Sequence, residues 1–271
     1  MLYPSAWAAV SAADLVVIGG GGLLHDYWGF GPDATLTADH AGLGYFCGIG
    51  MLGQTLGKPV MLYAVGVGPL LSEAGRKYTS AVCEYSGAIS VRDEQSKRQL
   101  CEIGVPANRV RVSADPAIRL PGDSSQSPPH FSGSPLLAVI LRNWDLGVLP
   151  DYWEGQVAQA LDKFLQTNSK ARVVFVPFQN GDDALLDDRA VAHRVMRRLH
   201  SSERVGIAPD ERSPRRRAAV LAGSDLVLGM RMHAIAFAVG ARVPAGARSY
   251  DPNVRNLMER SGCAEYSLEL S

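Results

Sequence analysis

Short apolar runs alternate with longer amphipathic stretches along most of the chain. Runs of this length, bounded by glycine or polar residues, are typical of buried strands, and the stretches between them have helical spacing. In the first half the pattern predicts strands at 15–18, 60–65, 88–91 and 110–112. Helices are predicted between them at 40–56, 73–85 and 94–103. This alternation predicts a mostly parallel sheet covered by helices.

The alternation restarts after a segment of different composition. Residues 120–135 are rich in Pro, Ser and Gly and nearly lack apolar side chains, which is typical of a linker between domains. Beyond it, the pattern predicts strands at 136–141, 173–176 and 225–228, and helices at 153–166, 184–200, 214–222 and 234–240. The stretch at 13–19 also resembles that at 224–229. We therefore predict an α/β protein with two similar domains, 1–119 and 136–271, that face a cleft.

Composition narrows the classes of function. The chain has 271 residues, of which 46% are hydrophobic and 20% charged, as is ordinary for a globular protein with two domains. Basic and acidic residues number 27 each, so the basic surface of a nucleic-acid-binding protein is not expected. The arginine cluster at 212–217 is interpreted as the solvated start of a helix. A phosphate or an anionic membrane surface is the functional alternative.

The cysteines and the start of the chain bear on location. Cysteines at 47, 83, 101 and 263 have no short paired spacing, so neither a disulfide framework nor a metal site is predicted. The first residues lack the basic region and apolar core of a signal peptide, and no apolar run is long enough to span a bilayer. We expect a cytoplasmic protein, and contact with the inner face of the membrane stays open.

The most informative residues follow the apolar run at 225–228. Gly229-Met-Arg231-Met-His233 lies where a predicted strand passes into a predicted helix, and ligands of open α/β sheets bind at this edge. A helix N-terminus attracts anions, and Arg231 adds a permanent cation. Imidazole titrates near neutral pH, so His233 can move a proton. We interpret Gly229, Arg231 and His233 as a site for an acidic small molecule; a hydrogen-bonded core position is the alternative for His233.

Four consecutive glycines at 19–22 follow the first predicted strand. Gly20, Gly21 and Gly22 carry no Cβ atoms, so their N–H groups can come close to a ligand. Their spacing matches neither a dinucleotide fingerprint nor a P-loop, and a tight strand-to-helix turn is the alternative. Asp26 follows them, either as a base that accepts a proton from a hydroxyl or as the N-cap of a helix.

Two further arginines end predicted strands. Arg92 follows the strand at 88–91, and Arg142 ends the strand at 136–141 beside Trp144. Either could be an ordinary surface charge. In the functional interpretation both point into the cleft and bind an anion.

Taken in order, these stretches resemble the polysaccharide pyruvyl transferase family. The resemblance runs through 14–26, 66–70, 91–96, 114–117, 141–144, 229–234 and 249–252, and so covers nearly the whole chain. It is greatest to the bacterial enzymes that pyruvylate cell-wall polymer for S-layer anchoring. No single motif is decisive, but the ordered set is specific.

The resemblance implies two Rossmann-like domains in a GT-B-like arrangement. It implies transfer of a pyruvyl group from phosphoenolpyruvate to a sugar or lipid-linked saccharide, which leaves a cyclic ketal and phosphate, without a cofactor or metal. The family's Arg-x-His motif, here Arg231 and His233, contacts phosphoenolpyruvate, and an Arg at the position of Arg92 is also implicated. We add Arg142 and Gly229 to this set.

Roles follow from this assignment. We expect His233 to be the general acid or the proton donor on the phosphate side, and Asp26 to be the base for the sugar hydroxyl. The acceptor is expected at Gly20, Gly21 and Gly22.

The chain also departs from the family pattern. Asn253 stands where members often carry a Lys, only 13 residues precede Asp14, and the chain stops at Ser271 where members usually continue into helices. We therefore interpret it as shortened at both ends. Two alternatives stay open: a GT-B-like glycosyltransferase that uses a nucleotide sugar, and an inactive shortened binding module.

Overall fold

The computed structural model describes residues 4–27, 29–31, 42–120, 122, 134–145, 147–181, 186–209, 213–250 and 252–270. The chain divides into two compact units, Met1–Pro116 and Ala117–Ser271. Each unit contains a parallel sheet with helices packed against it, which confirms the predicted α/β class.

The first unit is built on a four-stranded sheet in the sequential order β1-β2-β3-β4. Its strands are β1 (Val16–Leu24), β2 (Val60–Val67), β3 (Ala88–Val91) and β4 (Val110–Val112). Its helices are α1 (Pro4–Ala12), α2 (Leu43–Thr55), α3 (Glu73–Tyr85) and α4 (Glu94–Glu102). Because crossovers between parallel strands are right-handed and the order never reverses, α2, α3 and α4 cover the same face. The opposite face exposes Val17 and Tyr63.

The second unit is built on a six-stranded sheet in the order β10-β9-β8-β5-β6-β7. Its strands are β5 (Leu136–Ile140), β6 (Arg172–Phe175), β7 (Val205–Ile207), β8 (Leu226–Gly229), β9 (Ala245–Ser249) and β10 (Ser267–Glu269). Its helices are α5 (Pro150–Thr167), α6 (Asp188–Met196), α7 (Pro214–Ala222), α8 (Met232–Ala241) and α9 (Pro252–Arg260). The chain winds outward from β5 to β7 and returns to place β8 on the other side of β5. This reversal forms a switch point between β5 and β8.

The core of the second unit lies on both faces of its sheet. Leu137 and Val139 of β5 pack with side chains of α5 and α6, whereas Ala138 and Ile140 pack with side chains of α7 and α8. Every residue of β5 is buried, as expected for a central strand of a sheet covered on both sides. The carboxyl ends of β5 and β8 are thereby held rigidly next to each other.

The glycine run requires a correction. Residues 19–22 lie inside β1 rather than after it, and α2 begins only at Leu43, so a tight strand-to-helix turn is wrong. Gly20 and Gly21 have φ angles of +72° and +103°, a backbone conformation that favours glycine. The pairing of β1 with β2 shifts register just beyond them, between Gly22 and Leu24. Contact of these glycines with an acceptor stays a prediction.

The predicted linker falls mainly outside the described residues, which omit 121 and 123–133. The two units divide after Pro116, whereas the first domain was predicted to end at 119. Leu120 packs on the α7–α8 side of the second unit's core, and a Cβ at Gly122 would lie 2.9 Å from the Cα of Ala219. The start of the predicted linker therefore packs on the second unit.

Membrane-spanning helices and metal sites can be sought among the residues that the structure describes. Within them, no helix combines the length and apolar character needed to cross a bilayer, and no group of three or more potential metal ligands occurs.

The four cysteines are free thiols. Burial raises the pKa of both Cys47 and Cys83 to about 12, so neither thiol is a nucleophile near neutral pH. Arg215 and Arg216 are exposed in the first turn of α7, as expected for a solvated helix start.

Candidate active site

Two of the predicted anion ligands lie on either side of the switch point. Arg142 follows β5 and Arg231 follows β8. These strands are hydrogen-bonded neighbours in which Ile140 pairs with Gly229. Both arginines therefore leave the sheet at the same level of its carboxyl edge, where ligands of open α/β sheets bind.

Arg231 is held by Asp188, the first residue of α6. Its Nε donates to Oδ2 of Asp188 at 2.9 Å, and its Nη2 donates to Oδ1 at 2.6 Å. The same Nη2 also donates to Oε1 of Gln179 at 2.9 Å. The side chains of Arg231 and Asp188 are only 19% and 3% exposed, so this bidentate pair is largely removed from water. Neither charge can be removed without consequence for the other.

Asp188 also anchors the loop that follows β6. Its Oδ2 accepts from the backbone N–H of Phe178 at 3.0 Å and of Gln179 at 2.9 Å. The carboxylate thereby joins the loop after β6, the start of α6 and the residue before α8. No sequence motif marks this residue. An acidic residue at a helix start, with an arginine at a nearby strand end, is the only signal that could have found it.

Arg142 is clamped by two aromatic side chains. Its Nη1 donates to the hydroxyl oxygen of Tyr250 at 2.8 Å. Its Cζ lies 4.9 Å from the ring centroid of Tyr250 and 5.3 Å from that of Trp144, and the two centroids are 4.3 Å apart. Among the described residues, its buried Nε has no hydrogen-bond partner. This guanidinium is fixed in place by neutral groups and keeps its positive charge uncompensated by them.

The strand order shows that the two arginines reach in opposite directions. Arg231 follows β8, whereas its partners Asp188 and Gln179 follow β6. Because β5 lies between these two strands, the side chain of Arg231 crosses the end of β5. Arg142 leaves β5 and finds Tyr250 beyond β9, so it passes the end of β8. Each guanidinium is therefore anchored across the switch point.

His233 lies in the first turn of α8 and is exposed, so the alternative of a core histidine is wrong. Arg231 is the N-cap residue of α8, and its own side chain makes no capping hydrogen bond to this end. Gly229 is buried, and a Cβ there would lie 2.9 Å from Cδ1 of Ile235. The close approach of β8 to α8 favours a small residue here, and contact of Gly229 with a ligand stays a prediction.

Arg92 occupies a different environment, buried in the first unit at 5% exposure. Its Nη1 lies 3.4 Å from Oδ2 of Asp115, and its Nε lies 3.7 Å from Oδ2 of Asp93. A Cβ at Gly66 would lie 2.6 Å from its Nε, and a Cβ at Gly22 would lie 3.2 Å from its Nη2. Arg92 is therefore packed against the glycine-rich strand and two acidic neighbours, and its contact with an anion stays a prediction.

The carboxylate of Asp26 is buried and engaged at both oxygens. Oδ1 accepts from the N–H of Leu71 at 2.6 Å, and Oδ2 accepts from the N–H and the hydroxyl of Ser72 at 2.8 and 2.6 Å. Burial raises the pKa of Asp26, but these hydrogen bonds outweigh it and hold the pKa below its usual value. A carboxylate held in this way is a poor base. Among the described residues, Asp26 is not the N-cap of a helix either: Ser72 caps α3, and the Asp26 carboxylate instead holds the loop before that helix.

Asp26→Ala is expected to lower the free energy of unfolding by about 1–3 kcal/mol at pH 7, because buried N–H groups of Leu71 and Ser72 lose their acceptor. The pKa of Asp26 is lower in the folded than in the unfolded state. Its contribution is therefore complete above the unfolded value of about 3.9 and is lost as the pH falls through the folded value. Urea unfolding should show the difference from wild type shrinking in acid.

Glu73→Gln is the matched control, because Glu73 pairs with Lys77 at the exposed surface of α3. This variant should be nearly as stable as wild type. An Asp26→Ala protein with wild-type stability but no activity would restore the predicted role of Asp26 as a base.

Comparison with solved structures gives the class of fold. A protein described as a UDP-N-acetylglucosamine 2-epimerase of Listeria monocytogenes matches with a TM-score of 0.64 at 15% identity, over 97% of this chain and 65% of that one. The UDP-GlcNAc 2-epimerase of Neisseria meningitidis matches with a TM-score of 0.59 at 13% identity, over 97% and 67%. The protein thus has the two-domain, Rossmann-like fold of the GT-B type.

The sequence profile of the polysaccharide pyruvyl transferase family matches residues 2–252. The chain belongs to this family, which confirms the resemblance seen in its motifs. The amylovoran biosynthesis protein AmsJ of Erwinia amylovora is 22% identical over 227 residues, which are 79% of this chain and 54% of that protein. The chain thus spans about half the length of this curated relative.

Proposed function

We propose that this protein transfers the pyruvyl group of phosphoenolpyruvate to a sugar of a cell-wall polymer or exopolysaccharide and forms a pyruvate ketal. Membership of the pyruvyl transferase family supports the class of reaction. The observation that carries the donor site is the grouping of Arg142, Arg231 and His233 at one edge of one sheet. Two anchored cations and a helix N-terminus suit a small dianion.

The two anionic groups of phosphoenolpyruvate fit different parts of this edge. The phosphate suits the N-terminus of α8, where Arg231 is the N-cap residue and His233 follows in the first turn. The carboxylate suits Arg142, whose partners Tyr250 and Trp144 are neutral. In this orientation His233 lies beside the phosphate and the enol carbon attached to it.

The chemistry balances without a cofactor. A proton added to the methylene carbon makes the adjacent carbon electrophilic, and one sugar hydroxyl attacks it with loss of its own proton. A second hydroxyl then forms the other C–O bond as the C–O bond to phosphate breaks, and phosphate leaves. We assign His233 as the proton donor, either to the methylene carbon or to the departing phosphate. The proton-accepting group for the sugar hydroxyls lies elsewhere than Asp26, whose oxygens are engaged.

The setting of the reaction follows from its substrates. Phosphoenolpyruvate is a cytoplasmic metabolite, so we propose a cytoplasmic protein. A lipid-linked saccharide acceptor would bring it into peripheral contact with the inner face of the membrane.

The proposal is tested by incubating the protein with phosphoenolpyruvate and a panel of sugars, including lipid-linked saccharides. Released phosphate and the mass of the sugar product are measured together. Equal amounts of phosphate and pyruvylated sugar are expected. Transfer of a sugar from a nucleotide sugar, without use of phosphoenolpyruvate, would instead support the glycosyltransferase alternative.

A further inference from the structure

We propose that Asp188 is a positioning residue for the donor site, which fixes the Arg231 guanidinium so that a single nitrogen faces the anion. This inference rests on the proposed binding of phosphoenolpyruvate at Arg231. The guanidinium of Arg231 has five N–H donors. Nε–H and one N–H of Nη2 point to Asp188, and the second N–H of Nη2 points to Gln179. Within the described part of the chain, Nη1 with its two N–H groups is the nitrogen left for a ligand.

The orientation of Asp188 is itself fixed by the backbone. Its Oδ2 accepts from the N–H groups of Phe178 and Gln179 in the loop after β6, and its own N–H donates to the carbonyl oxygen of Gln179 at 2.9 Å. Asp188 is also the first residue of α6. The carboxylate therefore cannot rotate without breaking backbone contacts. Its rigidity is passed to Arg231 through two hydrogen bonds, which define the plane of the guanidinium.

This arrangement has a consequence for recognition. An unrestrained arginine binds an anion through two parallel N–H bonds along one edge. Here the Nε–Nη2 edge is turned toward Asp188, and only Nη1 can reach the proposed phosphate. Asp188 also balances the charge of Arg231. Arg231 therefore contributes to donor binding more through the orientation of its N–H groups than through net charge attraction.

Asp188→Asn tests the inference. The amide keeps one acceptor but places N–H donors against Arg231 or against the backbone N–H groups of the loop after β6. We expect the KM for phosphoenolpyruvate to rise about 10- to 100-fold, the scale for a lost charged hydrogen bond. The KM for the sugar acceptor should stay within about twofold, because a loss confined to donor binding leaves the contacts of the acceptor unchanged. A purely structural role would not separate the two constants.

Asp162→Asn is the matched control. Asp162 is likewise buried and accepts from the N–H and the Nδ1 of His200 in the same unit, away from the switch point. It should lose stability without a change in the KM for phosphoenolpyruvate. Asp188→Glu tests the inference if the Asn variant does not fold. It keeps the negative charge but displaces the guanidinium by about 1 Å, and a displacement of this size can lower the reaction rate about 100-fold.

Two readouts separate this inference from the proposed function. Calorimetry with phosphoenolpyruvate measures donor binding, and the NMR signal of the Arg231 Nε–H reports its pairing with Asp188 in the absence of substrate. A wild-type protein that shows the paired signal but binds no phosphoenolpyruvate would overturn the proposed function. Wild-type donor binding that persists unchanged in both Asp188→Asn and Asp188→Glu would overturn the positioning role and leave the function intact.

Discussion

His233→Ala is expected to lower kcat for pyruvyl transfer by about 10²- to 10⁴-fold, the range for loss of a positioned proton donor. The free energy of unfolding should stay within about 0.5 kcal/mol of wild type, because the imidazole is exposed in the first turn of α8. The KM for phosphoenolpyruvate should change less than kcat, since the charged contacts that we propose for the donor are those of Arg142 and Arg231. Steady-state kinetics and urea unfolding measure the three quantities.

A second exposed histidine provides the matched control. His193→Ala, which removes an exposed imidazole on α6, is the control and should keep wild-type kcat. Turnover at the wild-type rate by His233→Ala would contradict the assignment.

Arg231→Ala is expected to lower the free energy of unfolding by about 3–5 kcal/mol, because it leaves the buried carboxylate of Asp188 without its cationic partner. The N–H groups of Phe178 and Gln179 still donate to that carboxylate, which favours the lower end of the range. The value of kcat/KM should fall by about 10²- to 10³-fold, as for loss of one preorganised donor to developing negative charge. Denaturant unfolding and kinetics measure the two effects.

A double replacement separates the structural from the catalytic part of this loss. Arg231→Leu combined with Asp188→Leu removes both buried charges, and apolar replacement of a whole buried pair is often neutral for stability. We expect only part of the lost stability to return, because the N–H groups of Phe178 and Gln179 still lose their acceptor, and none of the lost activity. Recovery of both would show that the pair has only a structural role. Wild-type stability in Arg231→Ala would show that the pair does not form.

The helices that the sequence pattern predicts most accurately are those whose first residues mark the start of a helix. Helices α3 and α7 have the predicted bounds, because Ser72 caps the first and Pro214 starts the second. The strands β7, β9 and β10 were missed. Two of them have only three residues, and β9 carries Gly and Arg among small residues. Their extended conformation depends on pairing with neighbouring strands, which the local pattern does not contain.

In the candidate site, too, some residues could be predicted from the sequence and others could not. Arg142 and Arg231 could be found from sequence, because an arginine at the end of an apolar run must lie at the edge of a sheet. Their partners could not, because Asp188 is 43 positions from Arg231 and Tyr250 is 108 positions from Arg142. Arg92 follows the same local pattern as Arg142 but meets two carboxylates in the folded chain. The folded environment, and not the local pattern, separates these arginines: Arg92 is only 5% exposed, whereas Arg231 is 19% exposed and Arg142 is held by the neutral Tyr250.

We propose that phosphoenolpyruvate binds at the carboxyl edge of the second sheet through Arg231. Calorimetric titration of phosphoenolpyruvate into wild type and Arg231→Lys tests it most directly, because lysine keeps the charge but not the planar set of donors that Asp188 orients. We predict saturable one-to-one binding to wild type, weakened at least about tenfold in the variant, the effect of about 1.4 kcal/mol of lost interaction. Binding should compete with inorganic phosphate and not with UDP. Failure of the wild-type protein to bind phosphoenolpyruvate, or equal affinity of Arg231→Lys, would show that the donor does not bind through Arg231 as proposed.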